Sequence, residues 1–357
     1  MEASTSLIIS RILTTAAKRR ASNIHLTVNS YPALRIDEEL VELNEEQVIT
    51  NDFIKTLADD WLDEKQKKEL EEKKEIIFVK EIAKQLRIKV SLFFQKGFLS
   101  ALLRLIPPQI PPLINLGLPK SVYALTEKKS GLIIVSGPFG SGRSTTVASI
   151  IEEINKSRKE NIVTIDRPIE YLFSNKASLV EQREVGKDVN SFTDALRYAQ
   201  QNDIDVIALG VSEEKELVPL VLEFANSGRL AILTMETNSV TQTVEEILAS
   251  FPPSEQQRAQ LLLSEGLLAI ITQRVVPKIG GGSILAAEVL IVTEAVRSLI
   301  REGRTKQINT ILQSSRADGM LSLDQSLAEL VKAGEVLIDR AIEYANDPEN
   351  FRSMAKA

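Results

Sequence analysis

GLIIVSGPFGSGRSTTVASII, residues Gly131–Ile151, carries the strongest structural signal in the chain. Its apolar run Leu132–Val135 reads as a short buried strand. The turn Gly137-Pro138-Phe139-Gly140-Ser141-Gly142 follows, and Ser144-Thr145-Thr146 opens a helix with Val147, Ile150 and Ile151 on its apolar face. Strand, glycine-rich loop and helix start together are the setting of a P-loop. The glycines let backbone N–H groups turn inward around phosphate oxygens, and the helix dipole adds positive potential there. On this reading Gly137, Gly140, Ser141, Gly142, Arg143, Ser144 and Thr145 bind a nucleotide, Ser144 by holding its Mg²⁺ and Thr145 by meeting an inner phosphate. One position departs from the pattern, which wants lysine where this chain has Arg143. The positive charge is kept, but a planar guanidinium does not replace a compact ammonium in a tight phosphate cradle. A glycine turn with no ligand is the competing reading, and the spacing and flanking elements speak against it.

The 357 residues suffice for two domains with real cores. A hydrophobic content of 43% and a charged content of 26% describe an ordinary globular protein. A net charge of −6 gives no global attraction to nucleic acid or to an anionic membrane surface. Without cysteine there are no disulfides or cysteine-ligated zinc sites, and with His25 as the one histidine no histidine-based metal site is expected. The opening MEASTSLIIS has no basic n-region, and no apolar run reaches the length of a membrane-spanning helix. The expectation is a soluble, cytoplasmic chain.

Outward from the P-loop, the amino-terminal third begins with an amphipathic helix over Ser6–Arg19. Strand-like pieces follow at Ile24–Leu26 and Ala33–Ile36, then one or two helices over Asn51–Glu72. The charge run DEKQKKELEEKKE reads as a solvated helical face. Ile76–Val79, Leu86–Phe93 and Phe98–Leu105 alternate as strands do. Residues 1–106 thus form a small mixed α/β domain. Pro107, Pro108, Pro111 and Pro112 mark a linker over 107–119, and a second domain takes residues 120–357. There, strands at Leu132–Val135, Ile162–Ile165, Asp205–Leu209 and Leu230–Thr234 alternate with helices at Ser144–Lys156, Phe192–Gln201 and Glu213–Ala225. That alternation predicts a largely parallel sheet with helices on both faces. A long helix over Ser254–Thr272, a tight turn at Gly280–Gly282 and a strand at Ile284–Val292 are expected next, and a helical subdomain from about Glu294.

Several stretches together resemble one family. SGPFGSGRSTT is similar to a Walker A loop; VTIDRPIEYLF, Val163–Phe173, is similar to the "Asp box" TIEDPIEF; LVEQREVGKD, Leu179–Asp188, matches the segment after it. DVIALG, Asp205–Gly210, stands where a Walker B strand belongs, and SGRLAILTMET, Ser227–Thr237, occupies the "His box". AVRSLIRE, Ala295–Glu302, is close to the retraction-associated AIRNLIRE, differing at Val296 and Ser298. ASNIHL (Ala21–Leu26) resembles ASDLHL, and DPENF (Asp347–Phe351) is also familiar. The sequence therefore resembles the PilT-like ATPases, retraction motors of type IV pili related to the type II secretion ATPases. The resemblance implies a PAS-like amino-terminal domain, a RecA-like P-loop NTPase domain with a helical carboxy-terminal tail, and a ring hexamer with ATP or ADP and Mg²⁺ between protomers. It also implies peripheral attachment at the inner membrane through a platform protein of the pilus machine. Site roles follow by position: Asp166 and Glu170 in the Asp box, Asp205 in the Walker B strand, Arg87, Lys96 and Arg104 as cations acting on a neighbour's nucleotide. Ala295, Arg297, Leu299, Ile300, Arg301 and Glu302 make up the retraction motif. As a bare helix, that motif would turn Ala295, Leu299 and Ile300 inward and Arg297, Arg301 and Glu302 outward.

Four departures fall on chemistry. Arg143 replaces the phosphate lysine, Val211 the Walker B glutamate, Arg167 (beside Asp166) the Asp box aspartate, and Arg229 and Glu236 both His box histidines. Hydrolysis needs a group that orients or deprotonates water in line with the γ-phosphoryl group, and valine has no polar atom for it. Glu213 and Glu214 lie about 7 Å further along an extended chain, and Glu236 could approach only from an adjacent strand end. Three readings follow. The first is a nucleotide-binding ring with impaired hydrolysis, regulatory, structural or assembled with an active paralogue. The second is a working retraction ATPase with an altered site. The third, a RecA-like nucleic-acid translocase, is disfavoured by the charge.

Overall fold

The computed structural model describes residues 3–37, 39–83 and 86–356. The chain divides into two compact units, residues up to Gln109 with Gly280–Gly282, and Ile110–Ile279 with the chain from Ser283 onward. The first unit runs α1 (Ala3–Lys18), β1 (Asn23–Leu26), β2 (Ala33–Ile36), β3 (Glu39–Glu42), α2 (Asn51–Trp61), α3 (Glu64–Lys73), β4 (Glu75–Ala83), β5 (Leu86–Gln95) and β6 (Phe98–Ile106). Its antiparallel sheet has the order β3-β2-β1-β6-β5-β4. Ile88, Val90 and Leu92 alternate inward along β5 and pack with Ile12 and Leu13 of α1 and Ile54 and Leu57 of α2. The acidic-basic run becomes α3, opened by a capping box of Asp63 and Gln66 and burying only Leu70.

The second unit runs α4 (Lys120–Ala124), β7 (Gly131–Ser136), α5 (Arg143–Ser157), β8 (Asn161–Asp166), β9 (Leu179–Glu184), α6 (Phe192–Gln201), β10 (Val206–Leu209), α7 (Leu217–Asn226), β11 (Leu230–Met235) and α8 (Val240–Ala249). It continues with α9 (Gln256–Gly266), β12 (Leu267–Pro277), β13 (Ser283–Ile291), α10 (Glu294–Arg301), α11 (Ile308–Ser314), α12 (Leu323–Lys332), α13 (Ile338–Ala341) and α14 (Pro348–Lys356). The sheet order is β13-β12-β7-β11-β10-β8-β9, parallel throughout except for the pairing of β13 with β12. Strands β7, β10 and β11 are buried on both faces, which is why they read as continuous apolar runs without alternation. One apolar cluster, with Leu132, Ile207 and Leu233, covers one face; a second, with Ile133, Val206 and Ile232, covers the other. The α/β class, the RecA-like sheet and the helical tail are those expected. No helix among the described residues is long and apolar enough to cross a membrane.

One sequence expectation needs correction. The helix expected over Ser254–Thr272 ends at Gly266, and Leu267–Thr272 belongs to β12, paired with β7. An apolar run such as LLAIIT satisfies either periodicity, and the β-branched residues Ile270, Ile271, Val275 and Val276 settle it as a strand between two partners. Within the Pro-rich stretch 107–119, Ser149 Oγ donates to the Pro111 carbonyl at 2.7 Å, and Leu113 is buried in the second unit's core.

Candidate functional site

Because β7, β11, β10 and β8 are parallel and adjacent, their carboxyl ends share one edge. The P-loop leaves β7 there. Gly210 and Val211 follow β10, Asp166 closes β8, and Glu236 follows β11. The loop is closed by Ser141 N–H donating to the Pro138 carbonyl at 3.2 Å, and Gly142 (φ +87°) caps α5. Gly137 (φ +149°) passes so close to its surroundings that a Cβ would lie 2.4 Å from Ser141 Oγ and 2.6 Å from the Gln273 carbonyl oxygen. Ser141 Oγ is buried and has no hydrogen-bond partner, an unusual state for a hydroxyl and one that a ligand oxygen would relieve. Ser144 is exposed at the first turn of α5, as a Mg²⁺-holding hydroxyl must be. Thr145 Oγ1 lies 2.9 Å from Tyr171 OH.

Arg143 does not point freely into this cradle. Its Nη1 donates to the Met235 carbonyl at 2.9 Å, and its Nη2 to Glu236 Oε1 at 2.8 Å. The guanidinium side chain is 10% exposed, its carboxylate partner 51%. Two of the four departures are therefore one structural unit, an ion pair joining the P-loop to the end of the neighbouring strand. Charge-assisted contacts of this kind are about twice as strong as neutral ones.

The other candidates separate. Asp166 lies beside Gly210, where a Cβ would come 3.0 Å from Asp166 Oδ1. Glu170 is half-buried in the segment after β8. That segment is fixed from β9: Gln182 accepts from Phe173 N–H at 2.8 Å and donates to the Tyr171 carbonyl at 2.8 Å, and Glu184 accepts from Ile169 N–H at 3.2 Å. Val211 is 40% exposed and supplies no polar atom. Asp205 sits at the amino end of β10, away from the P-loop, and accepts from Asn161 N–H at 2.8 Å. Its expected role at the nucleotide gives way to fastening two strand starts. Arg229 likewise precedes β11, donates to the Ala199 carbonyl at 2.8 Å and lies over the Phe224 ring. Seven residues separate it from Glu236, about 23 Å of extended chain, so the two His box positions serve opposite edges of the sheet.

Neither glutamate after Val211 takes its place. Glu213 is exposed. Glu214 accepts from the N–H groups of Phe192 (3.0 Å) and Thr193 (2.8 Å) and from Thr193 Oγ1 (2.6 Å), capping α6. Burial alone works to raise its pKa, but these bonds, with the nearby Arg167 charge, hold it below the ordinary carboxylate value. A depressed carboxylate stabilises the fold above its unfolded pKa and loses that contribution as the pH falls through the folded one. Glu214→Gln should accordingly cost about 1 kcal/mol near neutrality, a modest figure because water screens the site. In urea denaturation the gap between native and variant midpoints should close at acid pH. A gap independent of pH would refute the charged cap.

In the first unit, the register Arg35↔Asn23↔Arg104↔Lys89 sets three cations in one row across β2, β1, β6 and β5, with Arg87 two residues from Lys89 on the same face. Lys96 (φ +51°) is exposed in the β5–β6 hairpin turn, off that row. In α10 the buried residues are Val296, Leu299 and Ile300, not Ala295, which is exposed. Leu299 and Ile300 face inward as expected, and in the first turn the larger Val296 takes the inward place instead of Ala295. Arg297 is not outward and free but donates to the Ser264 carbonyl and, at 2.8 Å, to that of Glu265, capping α9. Arg301 pairs with Glu294 at 2.6 Å, and Glu302 accepts from Ser298 and Arg304. Two contributors escaped the sequence reading. Tyr171 stands where the Asp box has phenylalanine, and its hydroxyl is the signal. Gln273, whose Nε2 donates to Thr146 Oγ1 at 2.8 Å, stands one residue past the helix expected over Ser254–Thr272 and carries no local signal.

Fold and site define a P-loop protein of the secretion-ATPase class, and the chain belongs to the type II/IV secretion system protein family, whose model matches residues 2–334. Among individual relatives it is similar to the type IV pilus retraction ATPase PilT of Pseudomonas aeruginosa, 35% identical over 96% of this chain and 99% of that one. It is similar too to a twitching motility protein of Neisseria gonorrhoeae, 33% identical over 90% of this chain and 86% of the relative. The crystal structure of the pilus retraction motor PilT with bound ADP superposes with a TM-score of 0.82 at 39% identity, covering 96% and 98% of the two chains.

Proposed function

We propose that this chain is a nucleotide-binding ring protein of the type IV pilus retraction machinery whose hydrolysis of ATP is impaired. The observation that carries the reading is a complete phosphate cradle beside Val211, with the loop cation engaged by Glu236. The glycines, Ser141 and Ser144 hold the phosphates and Mg²⁺; Arg143 and Val211 lack what activates water. Six copies form the ring, as the PilT resemblance implies, with Arg87 and Arg104 facing a neighbour's nucleotide. The ring sits at the inner membrane against the pilus platform, either as a regulatory or structural layer or mixed with an active paralogue. Mg²⁺–ADP at about 100 times its Kd should stabilise the protein by about 2.7 kcal/mol, and Ser144→Ala should remove most of that gain. Thermal denaturation with and without nucleotide reads both. Abundant multiple turnover by the pure native protein would refute the impairment.

A further inference from the structure

We infer that Glu236 makes the phosphate loop selective for a nucleoside diphosphate over a nucleoside triphosphate, an inference that rests on the nucleotide-binding reading above. The residue before the loop's hydroxyl pair is the one that reaches the β- and γ-phosphates. Here that residue is Arg143, and it is doubly engaged, by the Met235 carbonyl at 2.9 Å and by Glu236 Oε1 at 2.8 Å. The register Ser136↔Met235 sets Glu236 one residue past the level at which β7 enters the loop. A carboxylate is thereby fixed beside the cation that a γ-phosphoryl group needs.

A diphosphate is met by the loop N–H groups, by the unpartnered Ser141 hydroxyl and by Ser144, and it binds with the Arg143–Glu236 pair closed. A third phosphoryl group adds negative charge on the Arg143 side. Either the pair opens and Glu236 loses its charge-assisted bond, or two anions share one cation. Each penalises the triphosphate, which brings the extra charge, more than the diphosphate. A neutral side chain at position 236 would impose no such penalty. With Arg143 almost enclosed, the guanidinium has little room to serve both anions at once.

The test compares the native full-length chain with Glu236→Gln, which keeps the side-chain shape and an acceptor for Arg143 but removes the charge. Dissociation constants for ADP and for the slowly hydrolysed analogue ATPγS, each with Mg²⁺, are measured by calorimetry. The native chain should bind ADP about tenfold more tightly, a difference of about 1.4 kcal/mol. Glu236→Gln should erase that ratio by tightening ATPγS alone, and Glu236→Asp, which keeps the charge, should retain a preference for ADP. Equal affinities in the native chain, or a variant that shifts both nucleotides together, would overturn the inference while leaving nucleotide binding intact. If neither nucleotide binds to any of the three proteins, the phosphate-loop reading itself falls, and selectivity with it.

Discussion

Arg143→Lys, Val211→Glu and Glu236→His introduced together should raise steady-state ATP turnover at least about 10²-fold over the native chain. The expectation is non-additive, because groups that act on one transition state act as a unit. Val211→Glu alone restores a carboxylate at the end of β10 but leaves the loop cation bound to Glu236. Arg143→Lys alone supplies an ammonium that the same carboxylate, half-exposed and one strand away, still attracts. Only when Glu236 is neutralised as well does the cation return to the phosphates. Val211 is 40% exposed, so a glutamate fits there without disturbing the core. Single, double and triple variants assayed side by side check the ordering. A native chain as fast as the triple variant would mean that another carboxylate activates water, and Asp166 and Glu236 would be the first to replace.

Gly137→Ala should destabilise the second unit by about 3 kcal/mol and abolish nucleotide binding. The new Cβ would sit 2.6 Å from the Gln273 carbonyl oxygen. That atom belongs to β12, which is hydrogen-bonded to β7 on one side and β13 on the other, so it cannot retreat cheaply. The 2.4 Å approach to Ser141 Oγ adds a second clash, on a buried loop hydroxyl that has no partner. Gly140→Ala is the control. Nothing lies within 4 Å of its added Cβ, and only the φ of +82° resists it, at about 1 kcal/mol. Urea denaturation separates the two; equal losses would refute the close approach at Gly137.

The P-loop and the four central parallel strands were legible because each rests on a local signal, glycine spacing and apolar runs. Legibility failed where one local pattern has two solutions. LLAIIT after Gly266 suits a helix or a strand, and only its partners β7 and β13 decide. At the start of α10 the inward residue was missed for a similar reason, since Ala295 and Val296 are both apolar and packing chose the larger. The site showed the same limit. The departures at 143 and 236 could be counted along the chain, yet 93 residues separate them, and no sequence pattern says that they form one ion pair. Asp205 and Arg229 looked chemical because they flank motif strands; which end of a strand faces the P-loop is a property of the sheet.

Strand β12 has one more consequence. At its start, the last turn of α9 is clamped by Arg297 from the helix of the retraction motif. Six residues later, Gln273 lends its carbonyl to the floor under Gly137 and its amide to Thr146. After a register shift between Leu267 and Ala269, residues Ala269–Thr272 are paired with β7 on one side and β13 on the other. A few residues of one strand thus connect the end of α9, where Arg297 binds, to the underside of the phosphate loop.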